Sequence, residues 1–152
     1  MEIFELSEVA RILEVPKARI KNWTIGRPLR ITPTIRTASG KGTRNLYSVE
    51  DVYVLTLANQ LNEDGFSPKA IQAVIKKVRP RAKLIGKFYS QLVVSSPGRV
   101  LKIEFLSGDL TKLLSEALAG QAGVVSRYIL DLKAVREWID SRIAKIRKRQ
   151  QG

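Results

Sequence analysis

Basic and polar side chains in the first third of the chain are spaced so that they could bind a polyanion. Lys17, Lys21 and Asn22 fall on one predicted helix, away from its apolar positions Ile20 and Trp23. An exposed helix of this kind can enter the major groove of DNA, where lysine contacts phosphate or guanine and asparagine contacts adenine. The same residues would also suit the solvated face of an ordinary helical hairpin, so the helices alone leave both interpretations open.

The distribution of charge favours the nucleic-acid interpretation. The chain has 27 basic and 14 acidic residues, and its formal net charge is +13. Nine basic residues lie between Arg11 and Arg44 against one acid, Glu14, whereas 45–75 holds one lysine and four acids. Phosphate neutralisation needs such a local excess, while a charge for solubility would be spread evenly. The predicted DNA-binding residues are Lys17, Arg19, Lys21, Asn22, Arg36, Lys41, Arg44 and Tyr47.

Two short helices that meet at Val15-Pro16 would position these side chains. The first has the i, i+3, i+4, i+7 spacing of one apolar helix face, formed by Leu6, Val9, Ala10 and Leu13. Ser7 is its predicted N-cap. Pro16 suits the first position of the second helix, where no N–H is needed. The pattern therefore predicts a helix-turn-helix.

A glycine- and arginine-rich excursion follows the second helix and resembles a β-wing. The sequence predicts a strand over 31–36, a tip at 39–42 and a returning strand over 44–47. Glycines let a loop follow a phosphate backbone closely, and Lys41 and Arg44 supply positive charge. The alternative is a mobile basic loop without a ligand.

Several spaced motifs resemble the MerR-type (mercury-resistance-regulator) winged helix. The segments 6–10 and 19–23 resemble its opening, RNLYSVEDV at 44–52 resembles its R-x-Y-S-x-E-D-V segment, and LNEDGFS at 61–67 resembles its L-x-x-x-G-F-S helix link. The resemblance covers about residues 3–78. Two positions depart from the family pattern, because Lys21 replaces its usual arginine and Asn22 its usual aromatic residue.

The resemblance implies a sequence-specific, double-stranded-DNA-binding transcription regulator that is cytoplasmic, nucleoid-associated and a homodimer. RNA polymerase or an unidentified effector would be further partners. The alternative function is that of an excisionase-like DNA-architectural or recombination accessory factor, which uses the same kind of winged helix. A palindromic footprint would favour the regulator, and bending at sites without two-fold symmetry would favour the architectural factor. A third hypothesis is an adaptor that does not bind nucleic acid, or an enzyme.

The second half of the chain departs from the family pattern. We predict an α+β fold, mainly α, with a winged helix-turn-helix domain at 1–79, a basic linker at 80–87 and a small strand-containing module at 88–152. Its predicted elements are strands over 88–94, 99–106 and 124–130, a short helix carrying Leu110 to Leu118, and a final helix over 132–149.

The final helix is predicted to hold the dimer. The long helix that pairs MerR-type proteins does not begin at residue 80, and the final helix is the remaining amphipathic candidate. The predicted interface residues are Val135, Trp138, Ile139, Ile143 and Ile146. Packing of this face on the helix's own domain is the alternative.

Composition argues against catalysis, metal binding and membrane insertion. The chain has no histidine and no cysteine, so it lacks the commonest general base and the thiolate and imidazole metal ligands. We find no paired-carboxylate or phosphate-loop motif, and no apolar run of membrane-spanning length. We therefore predict no enzyme activity, no cofactor, no metal and no membrane partner.

Overall fold

Two units make up the part of the chain that the computed structural model describes, which is residues 1–97, 101–107 and 124–152. The first unit joins Met1–Ala82 to Trp138–Gly152, and the second is Lys83–Glu137. The predicted fold class, mainly α with small sheets and a long final helix, is confirmed. The helix predicted around Leu110 to Leu118 lies outside the described residues.

The first unit contains the elements of the helix-turn-helix. In chain order they are β1 (Ile3–Glu5), α1 (Leu6–Leu13), α2 (Lys17–Thr24), β2 (Leu46–Ser48), α3 (Val49–Glu63) and α4 (Pro68–Val78), followed by a 3₁₀ helix (Arg79–Leu84). The final helix, α5 (Leu132–Gln151), belongs to this unit from Trp138 onward. β1 and β2 pair antiparallel, with Phe4 opposite Tyr47.

Both helices of the helix-turn-helix begin at a different residue from the one predicted. Glu5, not Ser7, is the N-cap of α1, because Glu5 ends β1 in an extended conformation and its N–H donates to Glu8 Oε2 at 2.9 Å. Pro16 is the N-cap of α2 and not its first residue. The missing N–H of proline costs nothing there either. The turn between the helices uses Glu14 in a left-handed conformation.

Side-chain caps begin both α3 and α4. Ser48 Oγ accepts the Asp51 N–H at 3.1 Å while Asp51 Oδ2 accepts the Ser48 N–H at 2.9 Å. Ser67 caps α4 through the Ala70 N–H, with Pro68 at the first helical position. The Ser48–Asp51 bonds are reciprocal, and the caps satisfy helix N–H groups that have no partner within the helix.

The wing is less regular than predicted. The segment 31–36 does not form a strand, and its pairing with β2 is a single bridge between Arg36 and Leu46. Pro33 has no N–H to donate to a ladder, and the N–H of Thr34 donates instead to Asp51 Oδ2 at 2.9 Å. β2 takes Ile3–Glu5 as its partner, a strand that the sequence reading missed.

Apolar faces of all the helices of the first unit meet in one core. Its fully buried residues include Phe4, Val9, Ile12, Ile20, Leu29, Val52, Leu55, Leu57, Leu61, Ile71, Val74 and Val78. From α5 the core receives Ile139, Ile143 and Ile146, which are at most 6% exposed. The last four turns of α5 are therefore part of the N-terminal fold.

The second unit is built on a three-stranded antiparallel sheet of order β4-β3-β5. The strands are β3 (Gln91–Pro97), β4 (Lys102–Leu106) and β5 (Val124–Asp131). β3 begins three residues later than predicted, because the N–H groups of 87–89 all donate to the Leu84 carbonyl in a turn. Gly86 has φ +70, and a Cβ there would lie 2.7 Å from Arg136 Cβ, so glycine is needed.

The predicted linker, 80–87, is ordered structure. Its first residues continue the 3₁₀ helix, in which Ala82 is 4% exposed, and Ile85 is fully buried. The Ile85 carbonyl accepts from Arg136 Nη1 at 2.7 Å. A solvated spacer would bury neither side chain, so the prediction of a linker is corrected.

Candidate nucleic-acid interface

Helix α2 separates an apolar face from a polar one, as predicted. Ile20 and Trp23 are buried, whereas Lys17, Lys21 and Asn22 are exposed. The Trp23 carbonyl accepts from the Ile31 N–H at 2.9 Å, which fastens the segment after the helix against it. Lys17 and Lys21 form no ion pair with a carboxylate of the described residues. Both ammonium groups can therefore bind an anion from outside the chain.

A groove of about 360 Å³ lies beside these two lysines. We call it the interface groove, and its lining residues are Glu5, Leu6, Ser7, Lys17, Lys21, Ala38, Thr43, Arg44 and Asn45. The start of α1, the exposed face of α2 and the returning limb of the wing thus border one concavity. Three cationic side chains and one carboxylate line it, so the groove is suited to an anion.

The tip of the wing is shaped by its own side chains. Thr43 Oγ1 accepts the N–H groups of Ser39 and Gly40 at 2.9 and 3.0 Å, and Asn45 Oδ1 accepts the Ala38 N–H at 2.7 Å. Gly42 has φ +84, a conformation that suits glycine. The turn carries Lys41 exposed at its apex, without a carboxylate partner among the described residues.

Two arginines stabilise the segments on either side of the wing tip. Arg36 Nε donates to the Arg44 carbonyl at 3.1 Å, and Arg44 Nη1 lies 2.8 Å from Glu5 Oε1. The Arg44 and Glu5 side chains are 69% and 44% exposed, and such surface pairs contribute about 0–1 kcal/mol. A phosphate could therefore replace Glu5 as the partner of Arg44.

A protein-family model supplies an independent comparison. The model "MerR HTH family regulatory protein" matches residues 4–78, which span β1 to α4 and all of the interface groove. Residues 4–78 are a MerR-type helix-turn-helix region. The resemblance found in the sequence motifs is confirmed for this half of the chain.

Three mycobacterial proteins match part of the chain. They come from Mycobacterium bovis and two strains of Mycobacterium tuberculosis, and each is named an uncharacterized HTH-type transcriptional regulator. Each is 35% identical over 51 residues, which is 34% of this chain and 23% of the relative. The matched segment thus spans about a quarter of each relative's length.

Two predicted contact residues have partners inside the MerR-type region instead. Arg19 Nη1 donates to Asn59 Oδ1 at 2.8 Å and to Glu63 Oε1 at 2.7 Å, so Arg19 ties α2 to α3. Tyr47 is fully buried, and its hydroxyl lies 3.0 Å from Thr24 Oγ1. Burial raises the pKa of Tyr47 despite its hydrogen bonds. The Tyr47 side chain is therefore enclosed in the fold, whereas Arg19 is partly exposed and engaged with α3.

The carboxylate of Asp51, which caps α3, also fixes the base of the wing. Asp51 Oδ2 also accepts from the Thr34 N–H and hydroxyl, at 2.9 and 2.8 Å, and Asp51 Oδ1 lies 3.6 Å from Arg79 Nη1. Arg79 in turn donates to the Thr32 carbonyl at 2.7 Å. Capping-box spacing identifies Asp51, but no short-range pattern links it to Thr34 or Arg79.

A second groove, of about 940 Å³, lies between 28–32 and α4. Gln72 bridges its two sides, accepting from the Arg30 N–H at 2.8 Å and donating to the Arg30 carbonyl at 3.2 Å. These bonds hold the segment that leads from α2 into the wing. None of the predicted contact residues lines this groove.

The predicted dimer residues fall into two groups. Ile139, Ile143 and Ile146 are buried in the first unit, so they are occupied by packing within one chain. Val135 is half-buried, and Trp138 is 42% exposed with Arg142 Cζ 5.1 Å from its ring centroid. The three isoleucines therefore pack within their own chain. Of the five predicted interface residues, Val135 and Trp138 keep exposed surface that a partner could contact.

Glu8 joins α5 to the start of α1. Its Oε1 accepts from Arg147 Nη1 and Gln150 Nε2, both at 3.0 Å. Partial burial acts to raise the pKa of Glu8, but the Glu5 N–H, Gln150 and Arg147 together hold it below its ordinary value. Sequence reading missed this contact because the partners are more than 130 residues apart.

Two searches of the described residues bear on other classes of site. No group of three or more acidic side chains within 1–97, 101–107 and 124–152 could hold a metal ion. In the same part of the chain no helix is long and apolar enough to cross a membrane.

Proposed function

We propose that this chain is a sequence-specific, double-stranded-DNA-binding transcription regulator of MerR-like type. The observation that carries the proposal is the position of Lys17, Lys21 and Asn22 on the exposed face of α2, beside the interface groove of a MerR-type region. In this proposal α2 enters the major groove, where Asn22 contacts a base edge and the two lysines contact phosphate.

In this proposal the wing extends the contact along the phosphate backbone of the DNA. Lys41 is exposed at the tip, and Arg44 is held by an ion pair that a phosphate could replace. Phosphate contacts fix the register of the protein on the duplex, and base contacts select the sequence. The side chains on α2 and the wing supply both kinds of contact.

Homodimerisation and an RNA polymerase or effector partner belong to the same proposal. One small winged helix contacts few base pairs, so such proteins commonly double their contacts through two-fold symmetry. The names of the mycobacterial relatives, HTH-type transcriptional regulators, support the regulatory role. The buried face of α5 does not support dimerisation through Ile139, Ile143 and Ile146.

Selection from a pool of random-sequence duplexes tests the proposal. The full chain is expected to enrich one motif, and an inverted repeat in it would support a dimer. A variant Asn22→Ala should enrich a motif with one position relaxed. Enrichment of bendable sites without two-fold symmetry would favour the architectural alternative. Failure to enrich any motif would contradict sequence-specific binding.

A further inference from the structure

The second groove, between 28–32 and α4, is positively charged and shares no lining residue with the interface groove. Four cations line it: Arg30, Lys69, Lys76 and Arg79. None of its lining residues is acidic. Arg30, Lys69 and Lys76 are exposed and form no ion pair with a carboxylate in the part of the chain that the structure describes. The groove therefore has positive charge to offer an anionic partner.

Apolar surface lies beside these cations. Pro28, Pro68 and Pro80 line the groove and are exposed, and Ala73 lines it half-buried. Proline rings fix the backbone φ angle and leave no N–H to donate, so they give the groove stiff, apolar walls. Apolar surface rimmed by polar groups is one mark of a protein-binding site. A DNA backbone would gain little from it, since phosphate contacts need cations and hydrogen-bond donors.

Two hydrogen-bonded cross-links fix the two sides of the groove against each other. Gln72 accepts from the Arg30 N–H at 2.8 Å and donates to the Arg30 carbonyl at 3.2 Å. Arg79 Nη2 donates to the Thr32 carbonyl at 2.7 Å, and Arg79 Nη1 lies 3.6 Å from Asp51 Oδ1. Arg79 is thus engaged within the chain. A groove that is already formed costs a partner less ordering on binding.

The spacing of the two lysines on α4 indicates what kind of ligand the groove fits. Lys69, Gln72, Ala73 and Lys76 follow the i, i+3, i+4, i+7 pattern of one helix face. At a rise of about 1.5 Å per residue, Lys69 and Lys76 lie about 10 Å apart along the helix axis. An extended peptide covers that distance in about three residues. Two of its carboxylates could therefore each meet one lysine.

We infer that the second groove binds an acidic, partly apolar peptide segment of another protein. Two carboxylates about three residues apart pair with Lys69 and Lys76, and an apolar side chain between them packs on Ala73 and the prolines. Arg30, on the facing side, is available to a further acid or to a peptide carbonyl. The inference goes beyond the proposed function and does not depend on it, because no residue lines both grooves.

Selection from a display library of random peptides by the full chain tests the inference. The enriched peptides are expected to share two acidic residues about three positions apart, with an apolar residue between them. One of them, synthesised with a fluorescent label, should bind the variant K69A/K76A about tenfold more weakly, because two exposed ion pairs are lost. This variant stays folded, since both lysines are exposed on α4 and alanine favours helices. Serine in place of the apolar residue of the peptide should also weaken binding.

A matched control removes two exposed lysines of the first unit that do not line the second groove. This variant, K77A/K145A, should bind the labelled peptide as the wild-type chain does. Failure to enrich acidic peptides, or equal peptide affinity of K69A/K76A and the wild-type chain, would overturn the inference and leave the proposed function standing.

Two further outcomes would also contradict the inference. Peptide binding that is unchanged by the serine replacement would reduce the groove to a surface for any polyanion. A shallower salt slope for DNA binding by K69A/K76A would assign the groove to the DNA backbone instead. Peptide binding by a wild-type chain that does not bind DNA would contradict the proposed function alone.

Discussion

Asn22 and the lysines beside it differ in what their side chains can recognise. An amide can donate to and accept from an adenine edge at once, whereas an ammonium group is a point charge that binds any phosphate. The structure exposes both kinds on one helix face, and Asn22 has no side-chain hydrogen bond to a described residue. Selectivity and affinity should therefore be separable by mutation.

The first prediction is that Asn22→Ala relaxes base preference without changing the salt dependence. Discrimination at one position of the site should fall by about 1–3 kcal/mol, the value of one bidentate base contact. Competition between duplexes that differ at single positions measures this loss. Lys21→Ala is the contrasting variant, expected to weaken all duplexes alike. Equal discrimination by the wild-type and Asn22→Ala chains would exclude a base contact by Asn22.

The second prediction concerns Asp51, which is 2% exposed and accepts three hydrogen bonds. Asp51→Asn should lower the free energy of unfolding by about 1–3 kcal/mol, because an amide nitrogen would face donors that a carboxylate satisfied. Denaturant unfolding measures this change. Amide hydrogen exchange at Thr34 should also become faster, as the base of the wing loosens. Glu50→Gln, on the same helix turn, is the control and should change neither the free energy of unfolding nor the exchange rate at Thr34.

Helix α5 is fastened to the MerR-type region by ion pairs of Arg142 and Arg147. Arg142 contacts Glu14 and the Arg11 carbonyl at the end of α1, and Arg147 contacts Glu8 near its beginning. α5 thus runs along α1 and meets both ends of it. The orientation of α1, which borders the interface groove, depends on this packing.

The third prediction is a pH dependence that Glu8 confers on stability. The pKa of Glu8 lies below its ordinary value in the folded chain, so its contribution is fully present above pH 4.5 and is lost as pH falls through the folded value. Glu8→Gln should make unfolding free energy less dependent on pH in this acidic window. Urea unfolding at a series of pH values measures the difference. Glu137→Gln, at an exposed pair 4.0 Å from Lys133, should retain the wild-type profile.

Local patterns in the sequence predicted the helix faces well, but they misplaced the starts of α1 and α2 and did not reveal long-range partners. The Ser48–Asp51 box and the buried face of Ile20 and Trp23 both depend on spacings of three or four residues, which a sequence displays directly. The partner of β2 is more than 40 residues away, and the amphipathic stripe of α5 is compatible with either a second chain or its own core. Periodicity indicates that a helix face is buried, but it does not indicate whether that face packs on its own domain or on a second chain.

At the scale of the whole molecule, α5 closes the N-terminal core of its own chain. Exposure was predicted correctly where one helix decides it, as with Lys17, Lys21 and Asn22, and their contact with DNA stays a prediction. The sequence did not reveal the tertiary contacts that bury Tyr47 and give Arg19 its partners on α3. Homodimerisation stays a prediction, and an interface would have to use residues other than the buried isoleucines.

The fourth prediction is that Ile139→Asp with Ile143→Asp unfolds the first unit instead of separating a dimer. Both side chains are buried, and a charge placed there costs several kcal/mol. Circular dichroism should show lost helix at a temperature where the wild-type chain is folded. Trp138→Ala, at a side chain 42% exposed, should stay folded. If the double variant instead stays folded and sediments as a monomer while the wild-type chain is a dimer, the isoleucines belong to a dimer interface and the prediction is wrong.

The central claim is that the interface groove binds the DNA backbone through Lys17 and Lys21. The most direct measurement is the salt dependence of DNA binding by the full chain and by the variant K17A/K21A. A charge-matched control, K102A/K133A, removes two lysines that lie 3.2 and 4.0 Å from carboxylates in the second unit. The slope should be shallower by about 1.8 for the groove variant, two contacts at about 0.9 each, on specific and unrelated duplexes alike. Equal slopes for the wild-type chain and the groove variant, or an equal loss in the control, would contradict it.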